Sequence, residues 1–514
     1  MAVVMLEVQD SVAVQAIKLI RAYWALLIPA VLVLRFLYYK YSSPLRHYPG
    51  PFLASGSRAW KVLSTYRGKT EQDHIKLHQK FGPFVRIAPN EVSLSSPHAA
   101  RDVLAAGKGF HKTDFYGVFP PKANPDIFTE TREAVHAVKK RYASNAYSMS
   151  SMQGLATYID DTQRILLAKL DEFCNTADQK VDLGDWLHYF AFDVLGEMAF
   201  GAKFGFMEAG YDLDGAIKDI DDIQWYDGIV GQIPEWDAVL RNNPINKYLP
   251  GKDPSQFIIT RMALAAIEKR KNHGENMVDR KDLLSHLMTA NEKAPENFGP
   301  GDVFAVAHGA VFAGSDSTAS TMQSFTHHVL REPQVHKKLV DEILEADSKG
   351  GLSPNPSWAE AQALPYFQAC LKEAMRVRPA VGLNITRHVP PGGADIGGQR
   401  FAGGTRVALN GWVLHRDQGI FGKDADFFRP ERWLEGGEAK AKEMERYMFQ
   451  FGGGSHLCIG KNLALLEMNK TLPLLFREYE FELLKPDEDL IHHSTFFVVQ
   501  KGLDVKISKR EKRQ

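Results

Sequence analysis

Cysteine is scarce in this chain: Cys174, Cys370 and Cys458 are the three cysteines among 514 residues. Because they are odd in number and far apart, they do not indicate a disulfide framework, and such usage is typical of a reducing compartment. A net charge is also lacking, since 62 Lys and Arg residues balance 62 Asp and Glu residues. Nucleic-acid binding generally needs a basic surface, so no nucleic-acid partner is predicted.

Internal repeats are absent from the sequence, and no linker rich in Ser, Gly or Pro divides it after residue 51. Length alone would favour two or three domains. However, 44% of the residues are hydrophobic, which is enough for a large core, and the lack of a linker favours one large helix-rich domain. We expect residues 48–514 to form this domain and residues 1–47 to form an N-terminal membrane anchor and linker.

Long apolar runs are likewise rare, and the one at the N-terminus is the exception. Residues 22–39 read AYWALLIPAVLVLRFLYY, with Arg35 as the single charge. As a helix this segment spans about 27 Å, close to the roughly 30 Å hydrocarbon core of a bilayer. Trp24 and Tyr38 would lie at the two interfaces. We expect an uncleaved transmembrane helix; a cleaved signal peptide is the alternative, although no small-residue cleavage site follows.

Helical periodicity dominates the rest of the chain, with a few short strand patterns. The predicted fold class is therefore mainly α with small β-sheets. The hydrophobic spacing predicts helices over residues 130–143, 154–173, 183–200, 256–273, 302–331, 333–346, 366–376 and 459–476. The alternation predicts paired strands over 84–94 and further strands over 384–389, 405–409, 479–484 and 503–507. Asp302 is the candidate N-cap of the longest helix.

A glycine-rich loop that contains a cysteine precedes the last predicted helix. Residues 451–460 read FGGGSHLCIG. A thiolate at a helix N-terminus is stabilised by unpaired backbone N–H groups and by the helix dipole. The glycines allow the backbone to approach a large flat group, and Phe451 can shield the sulfur from water. The loop indicates that Cys458 is an ionised metal ligand; the alternative is a buried structural cysteine in an ordinary turn.

The middle of the predicted helix 302–331 contains residue types that are unfavourable inside a helix. Residues 313–318 read AGSDST, and Gly, Ser, Asp and Thr are poor choices for a helix interior. Helix stability therefore does not explain them. A local widening of the helix would make room for dioxygen and water. The alternative is a kinked core helix whose hydroxyl groups are satisfied internally.

A possible charge network involves two segments. Glu373 and Arg376 lie three positions apart in a predicted helix, so their side chains share one face. Any surface helix can carry such a pair, and taken alone the pair indicates little. The segment FRPERW, residues 428–433, lies between this helix and the cysteine loop and supplies Arg432.

Together these motifs resemble the cytochrome P-450 (haem-thiolate monooxygenase) family, of the microsomal type. The resemblance covers about residues 48–510 and implies a cytochrome P-450 fold preceded by one transmembrane helix. It implies haem b as cofactor, with Cys458 as the axial iron ligand in a loop that includes Phe451 and Gly460. It also implies that four further side chains hold the haem propionates: His136, Lys140, Arg387 and His456.

The resemblance also implies roles in the reaction and in the core. Asp316 would feed protons, and the hydroxyl that follows it would assist cleavage of dioxygen. Here that hydroxyl belongs to Ser317, where the family usually has threonine; Thr318 could contribute in its place. Glu373, Arg376 and Arg432 would form a buried charge network beneath the haem.

The function that the resemblance implies is insertion of one oxygen atom into an apolar small molecule, with electrons from NADPH-cytochrome P-450 reductase. The enzyme would be anchored in the endoplasmic reticulum membrane, in contact with membrane lipid, with its catalytic domain in the cytosol. The segments HYPGP (47–51), FVRIAPNEV (84–92) and VHAVKKRYASNAYSMS (135–150) look most like the fungal pisatin-demethylase-like group. That likeness suggests fungal secondary metabolism.

Two other functions remain open. A haem-thiolate isomerase or dehydratase would need neither a reductase nor a proton relay. Asp316 with an adjacent hydroxyl disfavours that function, and Ser317 in place of threonine leaves it open. A non-enzymatic haem sensor is disfavoured because no sensor partner domain is recognised in the sequence.

Overall fold

The structure, a computed structural model, describes residues 12–241, 243, 245, 257–272 and 281–511. These residues form mainly α-helices with small β-sheets, which confirms the predicted fold class. The helices are α1 Val12–Ser42, α2 Phe52–Gly56, α3 Ala59–Tyr66, α4 Thr70–Phe81, α5 Pro97–Leu104, α6 Glu133–Ser144, α7 Met149–Gly154, α8 Ala156–Cys174, α9 Leu183–Leu195, α10 Phe206–Ala209, α11 Ala216–Val230, α12 Asp237–Leu240, α13 Ile258–Asn272, α14 Leu283–Lys293, α15 Pro300–Gly314, α16 Asp316–Arg331, α17 Pro333–Ser348, α18 Trp358–Gln362, α19 Pro365–Val377, α20 Gly411–Leu414, α21 Gln418–Phe421, α22 Gly437–Glu445 and α23 Lys461–Glu478.

The strands are short and belong to separate sheets. They are β1 Phe84–Ala88, β2 Glu91–Leu94, β3 His111–Lys112, β4 Lys180–Asp182, β5 Ile385–His388, β6 Ala394–Ile396, β7 Gln399–Phe401, β8 Arg406–Leu409, β9 Tyr479–Leu483, β10 Ile491–Ser494, β11 Val498–Lys501 and β12 Asp504–Lys509. The largest sheet has the order β1-β2-β8-β5-β3, in which β2 and β8 are parallel. A second sheet has the order β4-β12-β9, and β6–β7 and β10–β11 form hairpins.

The helical core surrounds α15 and α16. Helix α16 packs against α9 and α19, and α15 packs against α13 and α14. Buried aromatic side chains fill the space between these helices, among them Phe190, Phe325 and Phe367. This packing fixes the centre of the molecule, to which the motifs identified in the sequence contribute.

The longest predicted helix is observed as two helices. Helix α15 ends at Gly314, α16 begins at Asp316, and Ser315 lies between them. The Ser317 hydroxyl donates to the Ala313 carbonyl oxygen at 2.8 Å, and the Thr318 hydroxyl donates to the Gly314 carbonyl oxygen at 3.0 Å. Such bonds to the residue four positions earlier bend a helix. The break therefore falls in the AGSDST segment.

One prediction about this helix is wrong. Asp302 is not its N-cap, because Gly299 occupies that position and the helix begins at Pro300. Asp302 lies in the first turn instead, where its carboxylate accepts the backbone N–H of Gly299 at 2.8 Å. Proline has no N–H to lose and is well suited to the first helical position, so the helix begins two residues earlier than the periodicity indicates.

The other predicted elements are found with small shifts at their ends. The paired strands over 84–94 are β1 and β2, joined across Pro89 and Asn90. The predicted helix 183–200 is α9 followed by a π-helical turn, Gly196–Phe200. The predicted helix 256–273 corresponds to α13, and its two terminal residues lie outside the described residues. Strands β3, β4, β6, β7, β10 and β11 were not predicted.

The N-terminal helix α1 stands apart from this packing. Its segment Tyr23–Ser42 is long and apolar enough to cross a membrane, and no residue of its apolar window is buried, although Phe36 near its C-terminal end contacts Phe52 of α2. A helix of a soluble core would be mostly covered. The segment is compatible with the predicted single-pass anchor, and a signal sequence would pass the same test.

Candidate active site

The cysteine loop has a backbone that requires its glycines. Gly452 and Gly454 have positive φ angles of 72° and 59°, a region that favours glycine. A Cβ atom on Gly454 would lie 1.8 Å from the carbonyl oxygen of Leu104. The loop therefore lies directly against the end of α5. Its last turn is closed by the Cys458 N–H, which donates to the Phe451 carbonyl oxygen at 2.8 Å.

Cys458 lies close to the N-terminus of α23, as the sequence indicates, two residues before the N-cap Gly460. Burial raises the pKa of its thiol, whereas hydrogen bonds from the backbone N–H groups of Gly460 and Lys461 and the charge of Lys140 lower it. The Cys458 side chain is nevertheless exposed. Phe451 lies alongside, with the Lys461 ammonium 5.8 Å from its ring centroid.

Lys140 fixes the cysteine loop rather than standing free. Its Nζ donates to the carbonyl oxygens of Ser455 at 2.8 Å and Leu457 at 2.6 Å. The ammonium group therefore holds the backbone on both sides of His456 and lies close enough to Cys458 to lower the pKa of the thiol.

The structure brings His136 and His456 together with Arg387. The rings of His136 and His456 have centroids 4.4 Å apart, and the His456 Nε2 lies 3.1 Å from the carboxylate of Glu133. Arg387 is buried on β5 and donates to the Tyr116 hydroxyl at 2.9 Å. Burial, followed by the charges of Arg387 and Lys112, lowers the pKa of His456 to about 2.

Lys112 belongs to this cationic cluster and was missed by the sequence analysis. It lies on β3 directly opposite Arg387 on β5. Its Nζ donates to the carbonyl oxygens of Ile127 and Phe128, both at 2.8 Å. Burial and the Arg387 charge lower its pKa to about 7. A two-residue strand has no periodicity that could have predicted this placement.

These residues fit a haem. In the buried cluster of Lys112, His136, Arg387 and His456, with Lys140 beside it, burial and then the charges of neighbouring cations lower the pKa of Lys112, His136 and His456, so an added anion is favoured there. The Nδ1 atom of His456 is buried and has no hydrogen-bond partner among the described residues. An anionic group with several acceptor oxygens satisfies both conditions. Two propionates next to a thiolate ligand are such a group.

Asp316 is buried at the start of α16, and side chains of two other helices hold its carboxylate. His188 Nε2 on α9 lies 2.8 Å from Oδ1, and Gln224 Nε2 on α11 donates to Oδ2 at 2.7 Å. Neither residue was predicted, since nothing in the sequence connects positions 188 or 224 with position 316. Ser317 and Thr318 follow at the helix break, with their hydroxyls bonded as described above.

The structure gathers Glu373, Arg376 and Arg432 into one buried network. Arg376 donates to both carboxylate oxygens of Glu373 at 2.8 Å, and Arg432 Nε donates to Oε1 at 2.9 Å. The Trp433 indole N–H, a member that the sequence analysis missed, donates to Oε2 at 2.9 Å. Arg376 also donates to the carbonyl oxygens of His415 and Phe427, at 2.8 and 2.9 Å. The network joins α19 to the segment that leads to the cysteine loop.

A cluster of aromatic side chains lies near the helix break and includes Phe312 of α15. Phe119 has its ring centroid 6.0 Å from Phe312 on α15 and 5.6 Å from Phe496 in the turn between β10 and β11. Phe128 lies 4.9 Å from Phe496. These residues come from the loop that precedes α6, from α15 and from the turn between β10 and β11. Their surface is apolar.

Comparison with known proteins identifies the family. The family model of cytochrome P-450 matches residues 49–507. Cytochrome P-450 monooxygenase cicH of Emericella nidulans is 34% identical over 499 residues, which cover 96% of this chain and 98% of the relative. Cytochrome P-450 monooxygenase gsfF of Penicillium aethiopicum is 32% identical over 498 residues, covering 93% and 96%.

A further relative is longer than this chain. Cytochrome P-450 monooxygenase mpaDE' of Penicillium brevicompactum is 34% identical over 483 residues, which cover 92% of this chain but 56% of the relative. The similarity is therefore confined to about half of that protein. With the family model matching most of the chain and fungal relatives matching nearly all of it, the chain belongs to the cytochrome P-450 family of haem-thiolate enzymes and is a monooxygenase.

Proposed function

We propose that this monooxygenase is anchored in the endoplasmic reticulum membrane and oxidises an apolar small molecule of fungal secondary metabolism. It uses dioxygen and takes electrons from NADPH through NADPH-cytochrome P-450 reductase. The observation that carries the proposal is the break between α15 and α16, where an acid and two hydroxyls, Asp316, Ser317 and Thr318, follow one another. A site that activates dioxygen needs a proton source and hydroxyl donors in this arrangement.

Cys458 is the proposed axial ligand. Bound haem supplies the iron at which dioxygen is activated and one oxygen atom is transferred. The N–H groups of Gly460 and Lys461 stabilise the thiolate, because both hydrogen bonds favour its charged form. Lys140 keeps the sulfur in place by holding the loop carbonyls on either side of His456.

The cationic cluster is the proposed propionate site. Arg387, His136 and His456 present N–H donors in a buried region, with the cations Lys112 and Lys140 close by. The ammonium of Lys140 already bonds two backbone carbonyls. Its contribution to the propionates is therefore its charge, whereas the direct hydrogen bonds come from the other residues.

Asp316 and the hydroxyls are the proposed proton path. A carboxylate accepts and releases protons, and the hydroxyls can pass them on by rotating about the Cβ–Oγ bond. Ser317 has the same O–H as the threonine that is usual in the family, but it lacks the methyl group that restricts χ1. Its hydroxyl is directed to the Ala313 carbonyl in the structure, which supplies part of that restriction.

The Glu373–Arg376–Arg432 network is proposed to hold the core beneath the haem. All three side chains are at most 3% exposed. Buried charges are stable only when each has its partners. Because Arg376 and Arg432 also bond backbone carbonyls of the segment 421–427, the network fixes the path of the chain toward the cysteine loop.

The substrate is proposed to be apolar because the aromatic cluster forms part of the proposed pocket wall. Phe119 contacts both Phe312 and Phe496 there. Apolar walls with few polar groups bind ligands chiefly by burying apolar surface.

Membrane association is supported by more than α1. Phe52 and Leu53 on α2 and Val239 and Leu240 on α12 are exposed apolar side chains, with exposed fractions between 43% and 67%. Arg58 links the two regions by donating to the Gln232 carbonyl oxygen at 3.3 Å. We therefore propose residues 1–47 as anchor and linker and 48–514 as the cytosolic catalytic domain, with the exposed residues in contact with lipid.

The experiment that tests this function uses oxygen-18. The full-length enzyme, the reductase, NADPH and labelled dioxygen are incubated with a metabolite extract chosen for shifts of the haem Soret band. One labelled oxygen atom is expected in the product. A product that forms without NADPH and contains no label would contradict the proposal and indicate a haem-thiolate isomerase or dehydratase.

A further inference from the structure

Both oxygens of the Asp316 carboxylate have side-chain partners on other helices. The carboxylate lies on a different side of α16 from the hydroxyl of Ser317. One oxygen contacts His188 Nε2 at 2.8 Å, and the other accepts from Gln224 at 2.7 Å. Successive residues of an α-helix point about 100° apart. Asp316 therefore faces α9 and α11, whereas Ser317 points to another side of the helix. A proton that leaves Asp316 must be replaced through one of these two partners or through water.

His188 connects this carboxylate to the outside of the molecule. Its side chain is 15% exposed, whereas that of Asp316 is 7% exposed. When Asp316 is ionised its carboxylate can only accept, and Nε2 of His188 is then the donor of this hydrogen bond. Imidazole can accept a proton at one nitrogen while it releases one from the other. His188 can therefore transfer a proton from solvent to Asp316.

Charged groups near the outer end of this path are mostly acidic. Asp185 lies one helical turn before His188 on α9, and its side chain is exposed. Partial burial of its carboxyl group raises the pKa of Asp185, and the charge of His188 offsets part of this effect by lowering that pKa. Lys501, Asp504 and Asp212 also act on Asp185. An acidic surface attracts protons and hydronium, so Asp185 is placed to supply His188.

Gln224 holds the carboxylate but cannot carry a proton. Its Oε1 atom accepts the Phe497 N–H at 3.1 Å and the Thr495 hydroxyl at 3.3 Å. These residues lie in the turn between β10 and β11, next to Phe496 of the aromatic cluster. Because an amide does not titrate, this branch fixes the orientation of Asp316 relative to the pocket wall.

Given the monooxygenase reaction proposed above, on which this assignment rests, we propose that His188 delivers protons from solvent to Asp316, and that Gln224 is a positioning residue for the same carboxylate. In each transfer hydronium gives a proton to Nδ1 and the Nε2 proton passes to Oδ1; after Asp316 has released its proton, exchange with solvent restores the Nε2–H tautomer of His188. The electrons for the reaction come from NADPH, and the path itself involves no redox step.

The hydrogen bond is tested without turnover. The full-length haem-loaded enzyme is labelled with nitrogen-15 at its histidine rings in lipid nanodiscs. The His188 signals are assigned by their loss in His188→Gln. Asp316→Asn is expected to shift the Nε2 signal of His188, and the control His286→Gln, a half-buried histidine on α14, should leave it in place. A His188 signal that does not respond to Asp316→Asn would overturn the assignment.

Proton transfer is tested by measuring the rate of dioxygen consumption in the presence of NADPH and the reductase. The rate is measured in water and in deuterium oxide, and as a function of pH. His188→Gln retains a side-chain N–H that can reach Asp316 but cannot relay a proton. We expect it to lower the rate roughly 10- to 100-fold, to enlarge the deuterium effect and to remove a pH dependence present in the wild type. His286→Gln should behave as the wild type.

The outcomes separate this assignment from the proposed function. If the wild type consumes dioxygen and incorporates label while His188→Gln matches its rate and pH profile, His188 only positions Asp316, and the proton-delivery assignment is wrong. If His188→Phe consumes dioxygen slowly while His188→Gln keeps the wild-type rate, His188 again only positions Asp316, because Gln retains the hydrogen bond and Phe does not. If the wild type neither consumes dioxygen nor incorporates label, the proposed function fails and the assignment falls with it.

Discussion

At the scale of single residues, the proposed proton path has Ser317 where the family resemblance implies threonine. The Ser317 and Thr318 hydroxyls both donate to backbone carbonyls four residues earlier, at 2.8 and 3.0 Å. Their geometry is therefore similar, although the helix turns them to different sides. Which of them assists the reaction can be decided by removing one at a time.

Ser317→Ala is expected to retain substrate binding and NADPH consumption but to divert electrons to hydrogen peroxide, because the hydroxyl that passes protons is lost. Ser317→Thr should keep or improve the yield of product per NADPH, since the added methyl group limits χ1 without removing the donor. Peroxide and product are measured against NADPH consumed, and Thr318→Ala serves as the matched comparison. Normal coupling in Ser317→Ala with loss in Thr318→Ala would assign the role to Thr318.

His308 gives a prediction for stability at low pH. It lies in α15, is 1% exposed, and burial lowers the pKa of its imidazole to about 4. Between this value and an unfolded pKa of about 6.5, the unfolded chain binds a proton that the folded chain does not. The free energy of unfolding therefore falls as the pH is lowered through this window, by up to about 3 kcal/mol from this residue.

His308→Gln should remove that contribution. The midpoint of urea unfolding is measured from pH 7 to pH 4 for the variant, the wild type and His47→Gln, a control in the exposed linker. We expect a shallower loss of stability in His308→Gln alone. An identical pH dependence in all three proteins would mean that His308 is protonated without cost inside the fold.

At the scale of elements, the network between α19 and the 430–433 turn has the largest predicted effect on stability. Glu373 accepts hydrogen bonds from Arg376, Arg432 and Trp433. Glu373→Gln leaves the buried Arg376 guanidinium without a counter-charge, whereas Arg432 keeps Asp424 at 2.8 Å. Loss of one partner of a buried ion pair typically costs about 3–5 kcal/mol. We expect little haem-loaded protein, measured as the ratio of haem absorbance to total protein after purification.

An exposed ion pair supplies the control for this experiment. Lys337 and Asp341 lie one turn apart on α17 and are exposed, so Asp341→Asn should cost less than about 1 kcal/mol. If Glu373→Gln were as well folded and haem-loaded as Asp341→Asn, and differed only in its kinetics, the structural role of the network would be wrong.

The same scale shows how far the sequence determines the structure. Long amphipathic helices and the 84–94 hairpin are predicted because their periodicity is local. The start of α15 was misplaced because Gly299 and Pro300 begin the helix before its apolar pattern begins. Strand β3 has two residues, so Lys112 could not be assigned to the cationic cluster. His188 and Gln224 meet Asp316 through packing of three helices, for which no single segment contains a signal.

At the scale of the whole molecule, the N-terminal helix is separable from the rest. Helix α1 is exposed over Tyr23–Ser42, and the family match begins at residue 49. Deleting residues 1–40 should move most of the protein from the membrane fraction to the soluble fraction while haem binding is retained. Sedimentation and the haem spectrum of both fractions measure this.

Two results of the deletion are informative. If some of the truncated protein stays on membranes and is released by substituting Val239 and Leu240 with serine, the surface on α12 adds to the anchor. Tight membrane binding that survives both changes would contradict the assignment of residues 1–47 as the anchor.

The central claim is that Cys458 is the haem-iron ligand, and the reduced carbon monoxide spectrum tests it most directly. The wild type and Cys174→Ser, a control at the end of α8, should both give the absorbance band characteristic of thiolate-ligated haem. Cys458→Ser should lose that band, because a serine hydroxyl does not supply the thiolate. If the band persists in Cys458→Ser with the same position and intensity per haem, another residue ligates the iron, and the account of this site is wrong.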